Sequence, residues 1–502
     1  MNNVLVRAAF LAAVFHLFPL PAAEAALTLD TDFDTDGFAH VDFASNLDSA
    51  RDLAEQADGR VVLVGLSRQG NFDYLGVARL DEDGSLDENF GEDGVTALLP
   101  GGTPMNFGGA DGKAVAIQPD DQKIVIAGTW NVNDGSGLQA MVVRLNIDGT
   151  PDPDFGTGGT SLVSLPGIFN AVVETVSVLD DGNILIAGGC NTSGCVKGFL
   201  AKLTDEGDLI TTFGTGGVYS TPNPALDGAA IAFQSITPLA GGKILLVGGY
   251  EDVIVVRLKD DGTPDTTFSG DGVANFNYSS VPFMDFELKT YEEANGVVVL
   301  EDGRLVIAGA SMAPITNNRD AMLMRVTASG ALDTSFGTGG WFFLPDNNKN
   351  EAIYDIVRRP FGDFVIAGLG FKPTQVSFNA SFTATLSAGF PPQAINGLIV
   401  LDDGRVVGAG EENVAATDYR FVAVRLDATD LEEPDCEACG ELSGDCRVTA
   451  ADALSALKMA VGQVEDDPNA DYNGDGDVTA ADALAILKVA IGSLAPSDAC
   501  KA

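Results

Sequence analysis

Hydrophobic and polar positions alternate along most of this chain in short blocks, with no helix-period segment between its repeated phrases. One phrase recurs as a turn rich in Asp or Gly, about four apolar residues and a closing glycine: ADGRVVLVG, DDQKIVIAG, DDGNILIAG, AGGKILLVG, EDGRLVIAG, FGDFVIAG and DDGRVVGAG. The closing glycines are spaced by 63, 60, 60, 61, 59 and 42 residues and are Gly65, Gly128, Gly188, Gly248, Gly309, Gly368 and Gly410. Short Val- and Ile-rich runs between turn residues predict strands that are buried on both faces. The chain is therefore expected to be a seven-copy repeat protein.

A second phrase follows the first in most copies. It reads VARLDEDGSLDENFGEDG, VVRLNIDGTPDPDFGTGG, LAKLTDEGDLITTFGTGG, VVRLKDDGTPDTTFSGDG and MRVTASGALDTSFGTGG. A strand, an Asp-Gly type turn, a Phe and a glycine turn are typical of antiparallel meanders. Clusters such as FGTGG lack the strand-to-helix context of a phosphate-binding loop, so we interpret them as turns.

Strand repeats of this length predict an all-β, seven-bladed β-propeller, with a linear β-solenoid as the alternative. The two architectures differ in what they require of the chain ends. Residues 27–37, LTLDTDFDTDG, match the second phrase, whereas the seventh copy ends at Asp427 without one. A ring resolves both deficits, because the N-terminal segment then completes the last blade. We therefore predict a closed propeller over residues 26–427.

A charge pair recurs at a fixed offset inside the second phrase. An Arg is followed eight residues later by an Asp in the pairs Arg79 and Asp87, Arg144 and Asp152, Arg257 and Asp265, and Arg325 and Asp333. Lys202 and Ile210 replace the pair in the third copy, and Thr385 takes the basic position in the sixth. Arg425 and Asp30 occupy the equivalent positions of the repeat, so they are expected to pair. Repetition in copy after copy favours internal bracing over a ligand site.

These phrases resemble the delta-60 family of secreted bacterial repeats, which has DGKIxxAG and RLxxDGxxDxxFGxxG motifs, over roughly residues 27–427. The resemblance implies a propeller-like fold and no established chemistry.

The C-terminal residues carry a calcium-loop pattern. Calcium takes six to eight oxygen ligands, and a twelve-residue loop supplies them from positions 1, 3, 5, 7, 9 and 12, with Gly at position 6. The stretch DYNGDGDVTAAD fits, with Gly476 at the turn and an amphipathic helix after it. The predicted ligands are Asp471, Asn473, Asp475, Asp477, Thr479 and Asp482.

The same loop-helix unit occurs thirty residues earlier as ELSGDCRVTAADALSALKMAVG. Its predicted ligands are Glu441, Ser443, Asp445 and Asp452. Cys446 stands where the turn glycine belongs, and a residue with a Cβ is disfavoured in that backbone conformation. The first loop is thus expected to bind calcium more weakly than the second, or to be an empty loop that a disulfide braces.

The duplicated unit resembles a type I dockerin, so residues 441–502 are expected to form a small all-α module after a linker at 428–440. The resemblance implies folding on calcium and a cohesin-like domain as partner. The positions that select the partner in that family are here Ala450, Ala451, Ala480 and Ala481 rather than hydroxyl residues. A calcium-stapled terminal cap without a partner is the alternative.

The first 25 residues read as a signal peptide, with one Arg, an apolar run and a cleavage site at Ala23-Glu24-Ala25. The mature chain is expected to be secreted or periplasmic, without a membrane span. Six cysteines in an exported chain suggest disulfides, with Cys190 near Cys195 and the pairing of the other four open: Cys436, Cys439, Cys446 and Cys500. The CxxC at Cys436 and Cys439 could be half of a zinc site, but the sequence has no matching His or second CxxC.

Charge and composition narrow the function. With 72 acidic and 28 basic residues the net charge is −44, which repels nucleic acid and anionic membranes. The two histidines, His16 and His40, all but exclude Ser-His-Asp or Cys-His catalysis. The favoured hypothesis is a noncatalytic binding or adhesion module for an extracellular polysaccharide or surface ligand. The alternative is a polysaccharide-active enzyme, hydrolase or lyase, although 8% aromatic residues disfavour sugar-stacking clefts.

Overall fold

The computed structural model describes residues 27–427 apart from internal gaps, together with a few C-terminal positions. The gaps are 44–46, 100–108, 132–136, 191–196, 222–230, 250, 279–290, 313–318, 345–349, 361–362, 377–381, 386–393 and 416–417. The C-terminal positions are 456–460, 478–480, 483, 484 and 486.

Each repeat folds as an antiparallel meander, as its alternating strand and turn phrases predict. The first two meanders are β3 (Leu47–Glu55), β4 (Val61–Gln69), β5 (Phe72–Leu80) and β6 (Val95–Leu98), then β7 (Gly109–Ile117), β8 (Ile124–Asn131), β9 (Leu138–Leu145) and β10 (Thr160–Val163). The next two are β11 (Ala171–Val178), β12 (Ile184–Cys190), β13 (Gly198–Leu203) and β14 (Val218–Ser220), then β15 (Phe233–Pro238), β16 (Ile244–Gly249), β17 (Val253–Leu258) and β18 (Val273–Phe276). A 3-10 turn at Ala240–Gly242 joins β15 to β16.

The remaining meanders have the same order. They are β19 (Tyr291–Val299), β20 (Leu305–Met312), β21 (Arg319–Val326) and β22 (Trp341–Phe343), then β23 (Ala352–Arg358), β24 (Phe364–Leu369), β25 (Thr374–Val376) and β26 (Phe382–Thr385), and finally β27 (Ala394–Val400), β28 (Val406–Ala415) and β29 (Asp418–Asp427). The last of these is completed from the other end of the chain, by β1 (Thr28–Leu29) and β2 (Phe38–Val41), which both pair with β29.

The second strand of each meander is the apolar run of the first phrase. Strands β8, β12 and β20 are buried along nearly their whole length, which confirms the predicted two-sided burial. The core lies between neighbouring meanders: one cluster joins Val125 and Val142 to Ile186 and Phe199. Another joins the first meander to the last through residues such as Leu63 and Phe421. Burying each such side chain contributes about 1.5–3 kcal/mol.

The predicted Arg–Asp braces are present. Arg144 Nε donates to Asp152 Oδ2 at 2.7 Å, and the corresponding bonds of Arg79, Arg257 and Arg325 are each 2.8 Å. Arg425 and Asp30, paired by phase, meet at 2.6 Å.

Each brace also includes the Phe of the second phrase. The guanidinium carbon of Arg144 lies 4.7 Å from the centre of the Phe155 ring, and that of Arg425 lies 4.6 Å from the centre of the Phe33 ring. Arg257 extends the brace to the next meander, because its Nη1 donates to the Ala328 carbonyl at 3.0 Å. These groups are mostly buried, which supports the bracing role rather than a ligand site.

The described part of the C-terminal module is helical at 456–460, 480, 483, 484 and 486. Ala456 and Ile486 are buried and Leu484 is exposed, which agrees with an amphipathic helix after each loop. No helix within the described residues is long and apolar enough to cross a membrane. Cys190 is buried at the end of β12, while the other five cysteines lie outside the described residues, so the disulfide pairing stays a prediction.

Candidate functional site

The first strand of every meander contains a β-bulge at the same place. At each bulge the pairing with the second strand skips one residue, and a residue skipped in this way is left unpaired. The seven skipped residues, called here the bulge residues, are Arg51, Lys113, Glu174, Gln234, Asn295, Tyr354 and Asn396. All of them line one central cavity of about 510 Å³. The seven bulges therefore place their polar side chains around one shared cavity.

The closing glycine of the repeat phrase makes room for each bulge. A Cβ on Gly188 would lie 2.0 Å from the Val172 carbonyl oxygen, and one on Gly309 would lie 1.9 Å from the Glu293 carbonyl oxygen. Only a residue without a side chain tolerates such a close approach of the neighbouring backbone. The bulge residue stands fourteen positions before its closing glycine, or fifteen in the case of Lys113.

Two bulge residues connect neighbouring first strands. The Asn295 amide donates to the Ile353 carbonyl at 2.7 Å, and the Asn396 amide donates to the Ala50 carbonyl at 2.7 Å. The second bond joins the last first strand, β27, to the earliest, β3. The amides of these two asparagines therefore link neighbouring first strands to each other.

Two carboxylates, Asp52 and Asp355, directly follow bulge residues and connect strands in the same way. Asp355 accepts hydrogen bonds from the backbone N–H of Ile356 at 2.7 Å and of Leu398 at 2.8 Å. Asp52 accepts them from Leu53 at 2.9 Å and Val115 at 2.8 Å. Each aspartate thus binds one N–H of its own strand and one of the next first strand.

Burial changes the acidity of both aspartates. They keep part of their surface open to the cavity, but the protein surrounds them, and burial raises the pKa of Asp52 to about 6 and that of Asp355 to about 7. The backbone hydrogen bonds act in the opposite direction, and the charge of Asp52 raises the pKa of Asp355 further. Desolvation of the charged form is therefore the dominant effect at this pair.

The cavity wall carries both signs of charge. Lys113 Nζ lies 2.9 Å from Asp111 Oδ2, and Arg319 forms an ion pair with Glu293. Among the described residues, three charged groups on the wall besides Asp52 and Asp355 form no ion pair: Arg51, Glu174 and Glu411. Burial raises the pKa of Glu174, although the charges of Lys113 and Arg51 act to lower it. The wall therefore offers an unneutralised cation and unneutralised carboxylates to anything that enters.

Tyr354 is the one aromatic residue among the described residues of this wall. Burial raises the pKa of its hydroxyl, so the hydroxyl remains a neutral donor and acceptor at neutral pH. A cavity of this size with a few convergent polar groups fits a small polar molecule. A broad sugar-stacking surface is not part of the described wall.

Most of the predicted calcium ligands lie outside the described residues. These are Asp471, Asn473, Asp475, Asp477 and Asp482 of one loop and Glu441, Ser443, Asp445 and Asp452 of the other. Thr479 is described and exposed, and its carbonyl accepts a bond from the Ala483 N–H at 3.3 Å, which starts a helical turn. Within the described positions, no group of three His, Cys, Asp or Glu residues is arranged to hold a metal ion. Both calcium loops stay predictions.

The repeat phrases did not lead us to the cavity residues. The usable signal is the offset of fourteen or fifteen residues from the closing glycine, where the residue type changes from copy to copy while the glycine does not.

A family model described as "Domain of unknown function (DUF5122) beta-propeller" matches residues 56–90, 118–155, 239–268 and 300–336. No curated protein is detectably similar in sequence. The WD40 β-propeller domain of Doa1 is similar in structure, with 13% identity, a TM-score of 0.42 and coverage of 77% of this chain and 97% of that one. Polysaccharide lyase Uly1 is also similar in structure, with 13% identity, a TM-score of 0.45 and coverage of 75% of this chain and 89% of that one. The Penicillium chrysogenum alpha-L-arabinanase has 10% identity, a TM-score of 0.40 and coverage of 81% of this chain and 98% of that one. The family match and the repeated meanders together establish that this chain is a β-propeller protein.

Proposed function

We propose that this protein is a secreted, noncatalytic binding protein whose propeller takes up an extracellular ligand in its central cavity. The observation that carries the proposal is the diversity of the bulge residues. The brace repeats one set of residue types, Arg, Asp and Phe, because it meets the same structural need in each copy. The bulge position holds Arg, Lys, Glu, Gln, Tyr and two Asn residues, and these side chains face a common space. A concave space into which a few different polar groups converge is the usual form of a ligand-binding pocket.

The proposed propeller has seven delta-60-type blades and is closed by its N-terminal segment. Three observations support closure: the pairing of β1 and β2 with β29, the ion pair of Arg425 with Asp30, and the hydrogen bond from Asn396 to Ala50. Closure leaves no open sheet edge at the ends of the repeat array.

The proposed C-terminal module binds calcium through the loop from Asp471 to Asp482, and more weakly through the loop that begins at Glu441. In this proposal it either docks to a cohesin-like domain or serves as a cap for its own chain. The oxygen-rich spacing of the loops supports calcium binding. The signal-peptide pattern and the six cysteines support export.

Filling the cavity tests the binding proposal on the full mature chain. Gln234 is the bulge residue of β15, and Gln234→Trp would place a large side chain among the cavity residues. Glu88→Trp, at an exposed position, is the matched control. Ligands would be sought by thermal shift and calorimetry with soluble polysaccharides and small polar solutes. We expect a ligand that stabilises the wild type and the control but not Gln234→Trp; equal binding by all three proteins would contradict a cavity site.

The raised pKa values of Asp52 and Asp355 favour one alternative, a glycan-cleaving enzyme. A carboxyl group whose pKa is raised towards neutral pH is suited to act as a general acid. The test is release of reducing ends or unsaturated sugars from polysaccharides. Release that the Asp52→Asn or Asp355→Asn variant abolishes would replace the binding proposal with the enzyme.

A further inference from the structure

Arg51 is an unpaired arginine in a strongly acidic chain. Apart from Arg359, every other arginine that the structure describes forms an ion pair with a carboxylate. Among the described residues Arg51 forms none, and its Nε is shielded from solvent without a hydrogen-bond partner. An unsatisfied buried donor of a charged group is costly, and an acceptor supplied by a ligand would remove that cost. Arg51 therefore has unused donor capacity at the cavity wall.

Glu174 is a carboxylate on the same wall that forms no ion pair within the described part of the chain. It is the bulge residue of β11, two first strands away from Arg51, with Lys113 between them. The charges of Lys113 and Arg51 act on Glu174, yet no contact between Glu174 and either cation is close enough for an ion pair. The Arg51 guanidinium and the Glu174 carboxylate therefore lie near each other without direct contact. A molecule of suitable length could contact both.

On the other side of Arg51 from Glu174, charged groups also act on the Tyr354 hydroxyl. Arg319 and Arg51 stabilise its ionised form, while Glu293 and Glu411 oppose it, so charges of both signs lie near this one group. Arg319 is neutralised by Glu293, whereas Glu411 forms no ion pair among the described residues. Arg51 therefore has an unpaired carboxylate on each side of it, Glu174 and Glu411.

We infer that the cavity binds a small zwitterion, an amino acid or short peptide, with its carboxylate on Arg51 and its ammonium group on Glu174 or Glu411. The inference rests on the proposed binding function and specifies its ligand class. Charge-assisted hydrogen bonds at both ends of the ligand would fix its orientation.

Two further properties favour a zwitterion over other polar ligands. The net charge of −44 opposes entry of a polyanion, whereas a molecule without net charge is not repelled. An uncharged sugar would leave Arg51 and Glu174 unneutralised, and the described wall offers it only Tyr354 for stacking.

The test is calorimetry on the full mature chain at low salt, where charge interactions are least screened. The probes are glycine, β-alanine, 5-aminopentanoate and glycylglycine, with N-acetylglycine and glycinamide as versions that lack one charge. Glucose and galacturonate represent neutral and acidic sugars. The variants are Arg51→Gln, Glu174→Gln and Glu411→Gln, which remove no described ion pair. Arg358→Gln is the control, because Arg358 pairs with Glu301 rather than lining the cavity.

We expect at least one zwitterion to bind, and its one-charge versions to bind about tenfold more weakly or worse, since each charge-assisted bond contributes a factor of this size. Arg51→Gln should weaken binding of that zwitterion at least about tenfold, and so should whichever of Glu174→Gln and Glu411→Gln removes the partner of the ammonium group. Arg358→Gln should not change the binding. Binding that Arg51→Gln leaves intact, or no binding of any zwitterion, would overturn the inference.

The sugar probes separate this inference from the proposed function. If glucose or galacturonate binds to the wild type but not to Gln234→Trp, and the zwitterions do not bind, the cavity is a binding site and the ligand class is wrong. If a ligand of the protein is found and Gln234→Trp binds it normally, both proposals are wrong.

Discussion

Arg425 Nε donates to Asp30 Oδ2 at 2.6 Å, although 395 residues separate the two in the chain. The same bond forms between Arg144 and Asp152, which are eight residues apart, at 2.7 Å. In both cases the guanidinium also lies over a Phe ring, Phe33 or Phe155. One brace thus occurs as a local contact inside a repeat and as a long-range contact between the two ends of the repeat array.

Asp30→Ala should lower the free energy of unfolding about as much as Asp152→Ala. Each change leaves a mostly buried arginine without its main carboxylate, which costs about 3 kcal/mol. Chemical denaturation would measure both variants. Asp154→Ala is the control, because the Asp154 side chain is exposed. A silent Asp30 variant beside a destabilised Asp152 variant would count against ring closure.

Gly188→Ala should be much more harmful than Gly167→Ala. The added Cβ at Gly188 meets the Val172 carbonyl at 2.0 Å, so the β11 backbone must move, at a cost of about 3 kcal/mol. Gly167 has a φ of +76° with open space around it, so alanine there costs about 1 kcal/mol of backbone strain. Denaturation midpoints at constant m-value would report the difference. Equal losses would mean that the closing glycine is not needed for the bulge.

Asp52 and Asp355 should make the propeller more stable in mild acid than at alkaline pH. Their pKa values are raised in the fold to about 6 and about 7, from about 3.9 in the unfolded chain, so the folded protein binds more protons between these limits. Their stabilising contribution is then complete below pH ~4 and is lost as the pH rises through ~6 to ~7. Asp355→Asn should flatten the stability profile between pH ~5 and ~8.

The profile would be measured by denaturation at a series of pH values, with the exposed Asp154→Asn as control. A wild-type profile that rises with pH across this range, and is unchanged in Asp355→Asn, would contradict the assignment.

Calcium titration of the full chain after chelation should show two sites of unequal affinity. Asp475→Ala removes a position-5 ligand from the regular loop and should abolish the tighter binding event. Asp445→Ala removes the matching ligand of the loop that contains Cys446 and should abolish only the weaker event. Calorimetry would resolve the two. The absence of any calcium binding by the wild type would refute both loops.

Much of the architecture could be predicted because the same residue types recur at equivalent positions in most copies, where they meet the same structural requirement. The buried second strands and the glycine turns followed from the repeated phrases, the pairing of Arg425 with Asp30 followed from their positions in the repeat, and the structure bears them out. The cavity could not be predicted in this way. Asp52 and Asp355 are two acidic residues among 72, and nothing in their local sequence distinguishes them from aspartates in exposed turns.

The sequence by itself determined the repeat, its strands and its braces, since these depend on short-range periodicity and on glycines that must accept a close backbone. Only the tertiary structure decided which side chains share the central space. Residues as distant in sequence as Arg51, Glu174 and Tyr354 line one cavity because each occupies the bulge of a first strand and these strands surround it. Burial then raises the pKa of Glu174 and of Tyr354. The cavity side chains come together and lose water only when the meanders assemble, so a single repeat has neither property.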